Sequence, residues 1–258
     1  MKTFTQFFFE DNLPKDGQWI TAKSGKHIFL SKDGKMLAGV PKELIGKDVS
    51  QLKDIDRYLD KSTPKAKNIN NVTDFIKAVD KSVTEKEAHD FCKVTKASDD
   101  SWNALHKYCD DDYMRINESL RRPEIFKTLY DDSPEVIKEI SEIVNNIRKI
   151  FDENRTTKDV TVYRGLTSGR RRLESLSPGD IFNDKGFIST SSSLEIADDF
   201  SGGTSRMKIL VPKGSRAIST SEITKFPNEE EILLGDNSNL KFVGLDDDGE
   251  TYCFQVVN

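Results

Sequence analysis

The chain has 258 residues, 32% of them charged and 35% hydrophobic, and includes fifteen Phe. That length can bury a full core as one large domain or two small ones, and the apolar content excludes a disordered chain. Thirty-nine basic residues against forty-four acidic ones give a net charge of −5, which excludes a nucleic-acid binder held by bulk charge. No apolar run is long enough to span a membrane. The stretch Met1–Glu10 lacks the apolar core and small cleavage residues of a signal peptide. Three cysteines, Cys92, Cys109 and Cys253, cannot form a complete disulfide framework. Together these features read as a chain cytoplasmic at synthesis which, if it leaves the cell, is secreted or injected by a dedicated apparatus.

Residues 1–65 read as a small β-rich module. Trp19–Ala22 and His27–Leu30 are strand-like, and Lys32-Asp33-Gly34-Lys35 is a hairpin turn signal, because Asp-Gly supplies the positive φ such turns need. Gly39 and Pro41 break that pattern, and residues 61–68 are polar and breaker-rich, as a linker is. Residues 66–258 read as the second domain. Its part 70–155 is helical. Val72, Phe75, Ile76 and Val79 recur at helical spacing, as do Ala104, Leu105 and Tyr108. Ile116 to Leu129 continue the pattern with a break at Pro123. Ser133-Pro134 opens the clearest helix, carrying Val136, Ile137, Ile140, Ile143, Val144, Ile147 and Ile150 on one face.

From 156 to 258 the texture is β. Val160–Gly165, Phe187–Ser191, Met207–Val211, Glu231–Leu234, Leu240–Val243 and Thr251–Val257 read as strands, with one short helix from Ser193 to Phe200. Helices first and strands later predict an α+β fold rather than alternating β-α-β units.

Three segments stand out in chain order: Val162-Tyr163-Arg164-Gly165, then Phe187-Ile188-Ser189-Thr190-Ser191 followed by Ala197 and Phe200, then Phe226-Pro227-Asn228-Glu229-Glu230-Glu231. In this order they resemble the Arg…Ser-Thr-Ser…Glu-x-Glu pattern of the ADP-ribosyltransferase exoenzyme family, which includes bacterial actin-modifying toxins and phage transferases. Tyr113-Met114-Arg115-Ile116-Asn117 through Leu120-Arg121 resembles that family's Tyr-x-x-Ile-Asn-x-x-Leu-Arg helix. The resemblance covers roughly residues 70–258. Glu-x-Glu and Ser-Thr-Ser each occur a second time, at Glu85/Glu87 and at 219–221. The former lies in a helical stretch, and the latter reads as the approach to the acidic loop.

The resemblance implies two packed β-sheets around an NAD cleft, with the helices flanking it. It also implies NAD as substrate and no metal. The transition state of ADP-ribose transfer is oxocarbenium-like, as in glycoside hydrolysis. Glu231 would then bind the ribose 2′-hydroxyl more strongly as positive charge develops. Arg164 would grip the pyrophosphate with two prongs, Gly165 would allow close backbone approach, and Ser189 would orient the carboxylate or the ribose. Tyr113, Asn117, Phe200 and Arg206 are further candidates beside the nucleotide, Arg206 as a substitute for a family arginine without a match at its usual offset. Gly186 stands where the family has Asn, so that contact is missing. Gly202-Gly203-Thr204 resembles the start of a loop over the nicotinamide. Phe226 and Glu229 are the candidates for recognising the acceptor, and Glu-x-Glu implies an accessible arginine on a target protein.

Other readings stay open at this point. The same scaffold could be an NAD glycohydrolase, or an inactive core in a phage or secretion-linked particle. An antitoxin or delivery partner is compatible with either. Arg170-Arg171-Arg172 reads as a solvated loop, with phosphate or acidic-target contact as the sharper option. His89-x-x-Cys92 and His106-x-x-Cys109 could together hold zinc, but both pairs lie on predicted helices, where i, i+3 residues share a face for ordinary packing.

Overall fold

The computed structural model describes residues 69–166, 173–202 and 205–257, together with Lys32 and three N-terminal strands. The readings made for Met1–Glu10, the turn residues Asp33–Lys35, Gly39, Pro41, the 61–68 linker, Arg170–Arg172 and Gly203-Thr204 lie outside the described residues. The chain divides into two compact units, Met1–Thr63 and Pro64–Asn258. In the first, β1 (Gln18–Thr21), β2 (His27–Leu30) and β3 (Met36–Ala38) form an antiparallel sheet in chain order, with Trp19 opposite Phe29.

The second unit begins with helices: α1 (Val72–Val79), α2 (Glu85–Phe91), α3 (Asp99–Lys107), α4 (Tyr113–Arg121), α5 (Pro123–Leu129) and α6 (Pro134–Glu153). Local chemistry sets several of their starts. Asn71 caps α1 by accepting from the Asp74 N–H at 2.8 Å, and Ser98 caps α3 through Ser101. Ser133 holds the cap position of α6 but makes no capping bond, and Pro134 supplies the first turn instead. A π-helical turn, Tyr108–Asp112, joins α3 to α4. No periodicity in the sequence announces it.

The β region is α+β as predicted. Its strands are β4 (Val160–Gly165), β5 (Ile181–Asp184), β6 (Ile188–Ser191), β7 (Arg206–Val211), β8 (Ala217–Ser219), β9 (Glu231–Leu234), β10 (Ser238–Leu245) and β11 (Thr251–Val257), with α7 (Leu194–Ser201) after β6. They run in the order β5-β10-β11-β7-β4-β6-β9-β8. The step from β4 to β6 rests on one pair, Tyr163 opposite Ser191, whereas β4 and β7 share six. The strands therefore form two half-sheets joined at one point, and they fold over a common core.

Strand alternation dictates the layers. Val160, Val162, Met207, Ile209, Tyr252, Phe254 and Val256 of one half meet Ile188, Ala217, Ile232 and Leu234 of the other. The opposite face of the smaller half offers Phe187, Ile218 and Leu233 to Leu105, Ile116 and the Ile140–Phe151 stripe of α6. The opposite face of the larger half offers Leu210, Val243 and Cys253 to Phe75 of α1. Two short strands, β5 and β8, are absent from the sequence expectation. Each is only three or four residues long, and neither reads as a clear apolar run: β5 is Ile-Phe-Asn-Asp and β8 Ala-Ile-Ser.

Helix α7 ends at Gly202, whose φ of +61° is the left-handed conformation suited to glycine. Its backbone lies directly on β4. A Cβ added at Gly165 would stand 2.1 Å from the Ala197 carbonyl and 2.7 Å from the Ser201 nitrogen. Gly165→Ala should therefore lower unfolding free energy by about 3 kcal/mol or more, the upper end for overpacking, because backbone rather than a yielding side chain is struck. Urea denaturation checks this, and a loss below about 0.5 kcal/mol, the range of ordinary surface substitutions, would contradict the packing.

Candidate active site

Where β4 and β6 part, a cleft of about 310 Å³ opens, lined by Tyr113, Tyr163, Arg164, Gly165, Ser189, Thr190, Ser191, Ala197, Phe200, Glu229 and Glu231. Seven candidates from separate parts of the chain thus meet in one place: Tyr113, Arg164, Gly165, Ser189, Phe200, Glu229 and Glu231. Tyr113 and Phe200 are exposed aromatic side chains, one from α4 and one from α7.

Arg164 bridges the parting strands, its Nη1 donating to the Ser189 carbonyl at 2.5 Å. Burial pushes its pKa down, while Asp184 acts to raise it. The guanidinium stays protonated at neutral pH. Gly165 is a glycine because α7 presses on it, so the close approach it permits is that of the protein's own backbone.

The serine motif builds the acidic turn. Ser191 Oγ donates to the Glu229 carbonyl at 2.8 Å, the Ser192 N–H donates to the Glu230 carbonyl at 3.0 Å, and Thr190 Oγ1 donates to the Ile232 carbonyl. The 3₁₀ turn Pro227–Glu229 then passes into β9 through Glu230, a non-glycine residue in the left-handed region at φ 47°, ψ 46°. That conformation costs roughly 1–2 kcal/mol and is held by the serine bonds. It lets Glu229 and Glu231, on either side, both line the cleft.

The two carboxylates sit differently. Glu231 Oε2 accepts from Thr220 Oγ1 at 2.6 Å, which fixes its rotamer. Glu229 has its carboxyl pushed above the ordinary value, first by burial and then by the charge of Glu231. Thr220 is a hydrogen-bond partner of Glu231 that the sequence expectation did not name. It belongs to the second Ser-Thr-Ser, one residue beyond β8, and its signal was the repeated motif itself.

Three candidates lie outside the cleft wall. Asn117 is buried, with Nδ2 donating to the Tyr108 hydroxyl at 3.1 Å and Oδ1 accepting from the Phe187 N–H at 2.8 Å. It anchors the start of β6. Arg206 donates to Asp198 at 2.6 Å, Asp248 at 3.0 Å and Thr251 at 2.9 Å. It ties α7 to the turn before β11, because the chain reverses at Gly202 and Arg206 opens β7. Phe226 is exposed just before the 3₁₀ turn. The missing asparagine at Gly186 also has a physical reason. A Cβ there would stand 2.6 Å from Asn117 Oδ1 and 2.8 Å from Arg121 Nε.

Among the described residues, no group of three or more His, Cys, Asp or Glu is placed to hold a metal ion. Both ring nitrogens of His89 lie within hydrogen-bond distance of serine hydroxyls, and the buried Cys92 thiol is pushed up to about 12 by burial. No described helix is long and apolar enough to cross a membrane.

Comparison with known proteins bears on this site. A family described as ADP-ribosyltransferase exoenzyme matches residues 81–254. An NAD(+)–arginine ADP-ribosyltransferase of Enterobacteria phage T2 is 26% identical over 150 residues, covering 57% of this chain and 20% of that protein. Exoenzyme T of Pseudomonas aeruginosa is 28% identical over 162 residues, covering 62% of this chain and 32% of that protein. The chain thus spans a fifth to a third of the length of these curated relatives. The C3 exoenzyme of Clostridium limosum superposes with a TM-score of 0.51 at 21% identity, over 76% of this chain and 98% of that one, so the fold is shared. With the family match spanning both half-sheets and every residue of the cleft, the chain belongs to the ADP-ribosyltransferase exoenzyme family.

Proposed function

We propose that the protein is an NAD-dependent ADP-ribosyltransferase that transfers ADP-ribose to an arginine of a target protein and releases nicotinamide. The observation that carries this reading is the placement of Glu229 and Glu231 on one cleft with Arg164 and Ser189, in unlike environments. The name of the phage T2 relative supports the choice of arginine.

In this reading Arg164 binds the NAD pyrophosphate while its Nη1 contact with Ser189 keeps the cleft mouth in shape. Glu231, held by Thr220, accepts from the ribose 2′-hydroxyl. The C1′–nicotinamide bond breaks with its electron pair leaving on nicotinamide, and Glu231 stabilises the positive charge left on the ribose. A guanidinium is protonated at neutral pH and a poor nucleophile. Glu229, whose raised pKa makes it a better base than an ordinary glutamate, takes the guanidinium proton as the new N–C1′ bond forms. Phe226, exposed beside Glu229, offers an apolar contact to the target. The two carboxylates therefore divide the reaction, Glu231 serving bond cleavage and Glu229 the acceptor.

That division is tested by measuring released nicotinamide and labelled protein in parallel. Glu231→Gln should lower both by about 10²–10³, as expected for loss of a transition-state contact, with NAD binding retained. Glu229→Gln should lower transfer far more than hydrolysis. Equal losses in Glu229→Gln would end the division of labour, and full activity in Glu231→Gln would end the assignment. Net hydrolysis by the wild type with every acceptor offered would favour a glycohydrolase instead.

Protonation adds a second check. Transfer requires ionised Glu229, so its rate should rise with pH through a value above the ordinary glutamate pKa of 4.5. A pH profile of kcat should show this acid limb in the wild type, and the residual transfer of Glu229→Gln should lack it. Arg164→Lys keeps the charge but loses the planar fork. Calorimetry should find NAD affinity reduced at least about tenfold, given charged hydrogen bonds worth roughly 1.5–3 kcal/mol each. Unchanged affinity would remove Arg164 from the site.

A further inference from the structure

Behind the acidic turn, on the side away from the cleft, a line of polar groups connects α2 to Glu230. His89 Nδ1 lies 2.6 Å from Ser219 Oγ, and His89 Nε2 lies 3.2 Å from Ser192 Oγ. Ser192 Oγ donates to Glu230 Oε2 at 3.0 Å, and Ser219 Oγ lies 2.9 Å from Ser221 Oγ. Counting protons assigns the direction. The single hydroxyl proton of Ser192 goes to the carboxylate, so Ser192 accepts from His89 Nε2–H. In a neutral ring Nδ1 then accepts from Ser219, and Ser219 in turn accepts from Ser221. Every donor and acceptor along the line is matched in this one arrangement. Burial lowers the imidazole pKa, against the raising effect of Glu230 and Asp90, in keeping with the neutral ring.

The line ends on the residue that holds the left-handed turn. Glu230 sits between the two carboxylates that line the cleft, with its backbone carbonyl on the Ser192 N–H and its side chain on the Ser192 hydroxyl. Ser192 is fully buried, so His89 is what completes its hydrogen bonding. Glu231 has a side-chain bond of its own, from Thr220. Glu229 has no side-chain bond of that kind, and its orientation follows from the turn.

We propose that His89 is a positioning residue for the acceptor step, fixing through Ser192 and Glu230 the turn that carries Glu229. The inference rests on the reading of Glu229 given above. His89 touches neither NAD nor acceptor, and it acts only by keeping Glu230 in its left-handed conformation. Asp90, on the same helix, and Glu222 and Lys93, paired at 2.9 Å on the rim of the same small cavity, supply no bond to the His89 ring.

The test uses the full chain with labelled NAD, water as one acceptor and agmatine, a small guanidino compound, as the other. His89→Ala should reduce transfer to agmatine by up to about tenfold, the upper end for one lost neutral hydrogen bond, while hydrolysis stays within about twofold. The loss should fall in kcat for transfer and not in KM for NAD. His89→Gln, which can still accept at one end and donate at the other, should keep transfer within about threefold of the wild type. A merely structural histidine would depress both activities together. Equal loss of transfer and hydrolysis in His89→Ala, or no loss of transfer, would overturn the proposal. If His89→Ala fails to melt cooperatively, Ser192→Ala decides the matter by the same split. A wild type without either activity would remove the underlying reading of Glu229, and the inference with it. An active wild type with an unchanged split removes the inference alone.

Discussion

The constraint on which the rest depends is the single residue pair between β4 and β6. Strands that share six pairs, as β4 and β7 do, lie flat against one another. Strands that share only Tyr163 and Ser191 are free to diverge, and they diverge because each half-sheet must bury its inner face against the other. The cleft is the gap this produces. Its width is set by covalent chain and core packing and not by a loop, so Arg164 and Ser189 face each other across a fixed distance. The Arg164 bond to the Ser189 carbonyl spans the gap just beyond that one pair, where backbone pairing is lost. A charged donor there replaces the ladder bond that an ordinary sheet would have made.

The same economy of parts governs the carboxylates. The Ser-Thr-Ser motif reads as a set of hydroxyls for a ligand, yet two of its three hydroxyls bond the backbone on either side of Glu230. The motif is in large measure the scaffold of the acidic turn. Glu231 is then fixed by the Thr220 hydroxyl, just beyond β8, and Glu229 by the shape of the turn. Two carboxylates of one sequence motif thereby acquire different environments, which is the usual physical origin of separate acid–base roles.

Much of the fold was legible because its signals are local. The apolar stripe of α6, the alternation in β4, β7 and β11, and the serine cap and terminal glycine of α7 follow from side-chain periodicity and capping. β5, β8 and the π-helical turn were not legible, since each is short and polar or mixed in character, unlike the equally short apolar run of β9. At the site, residue types that perform chemistry in a fixed order were readable, and seven of them line the cleft. Partners supplied by tertiary structure were not. Thr220 read only as part of the approach to the acidic loop, and the fold brings its hydroxyl to Glu231. Asn117 and Arg206 looked equally available for a ligand, but both are engaged by protein groups distant in sequence. Gly165 was read for a ligand's approach, and the atoms that approach it belong to α7.

The most direct test of the central claim is to incubate the full chain with NAD labelled on its adenylate portion in a cell lysate and to follow the label. The account predicts label bound covalently to protein, with an equal amount of nicotinamide released, and both products lowered by about 10²–10³ when Glu231 is replaced by Gln. Release of free ADP-ribose without labelled protein would contradict the transfer step, and intact NAD after prolonged incubation would contradict the account as a whole.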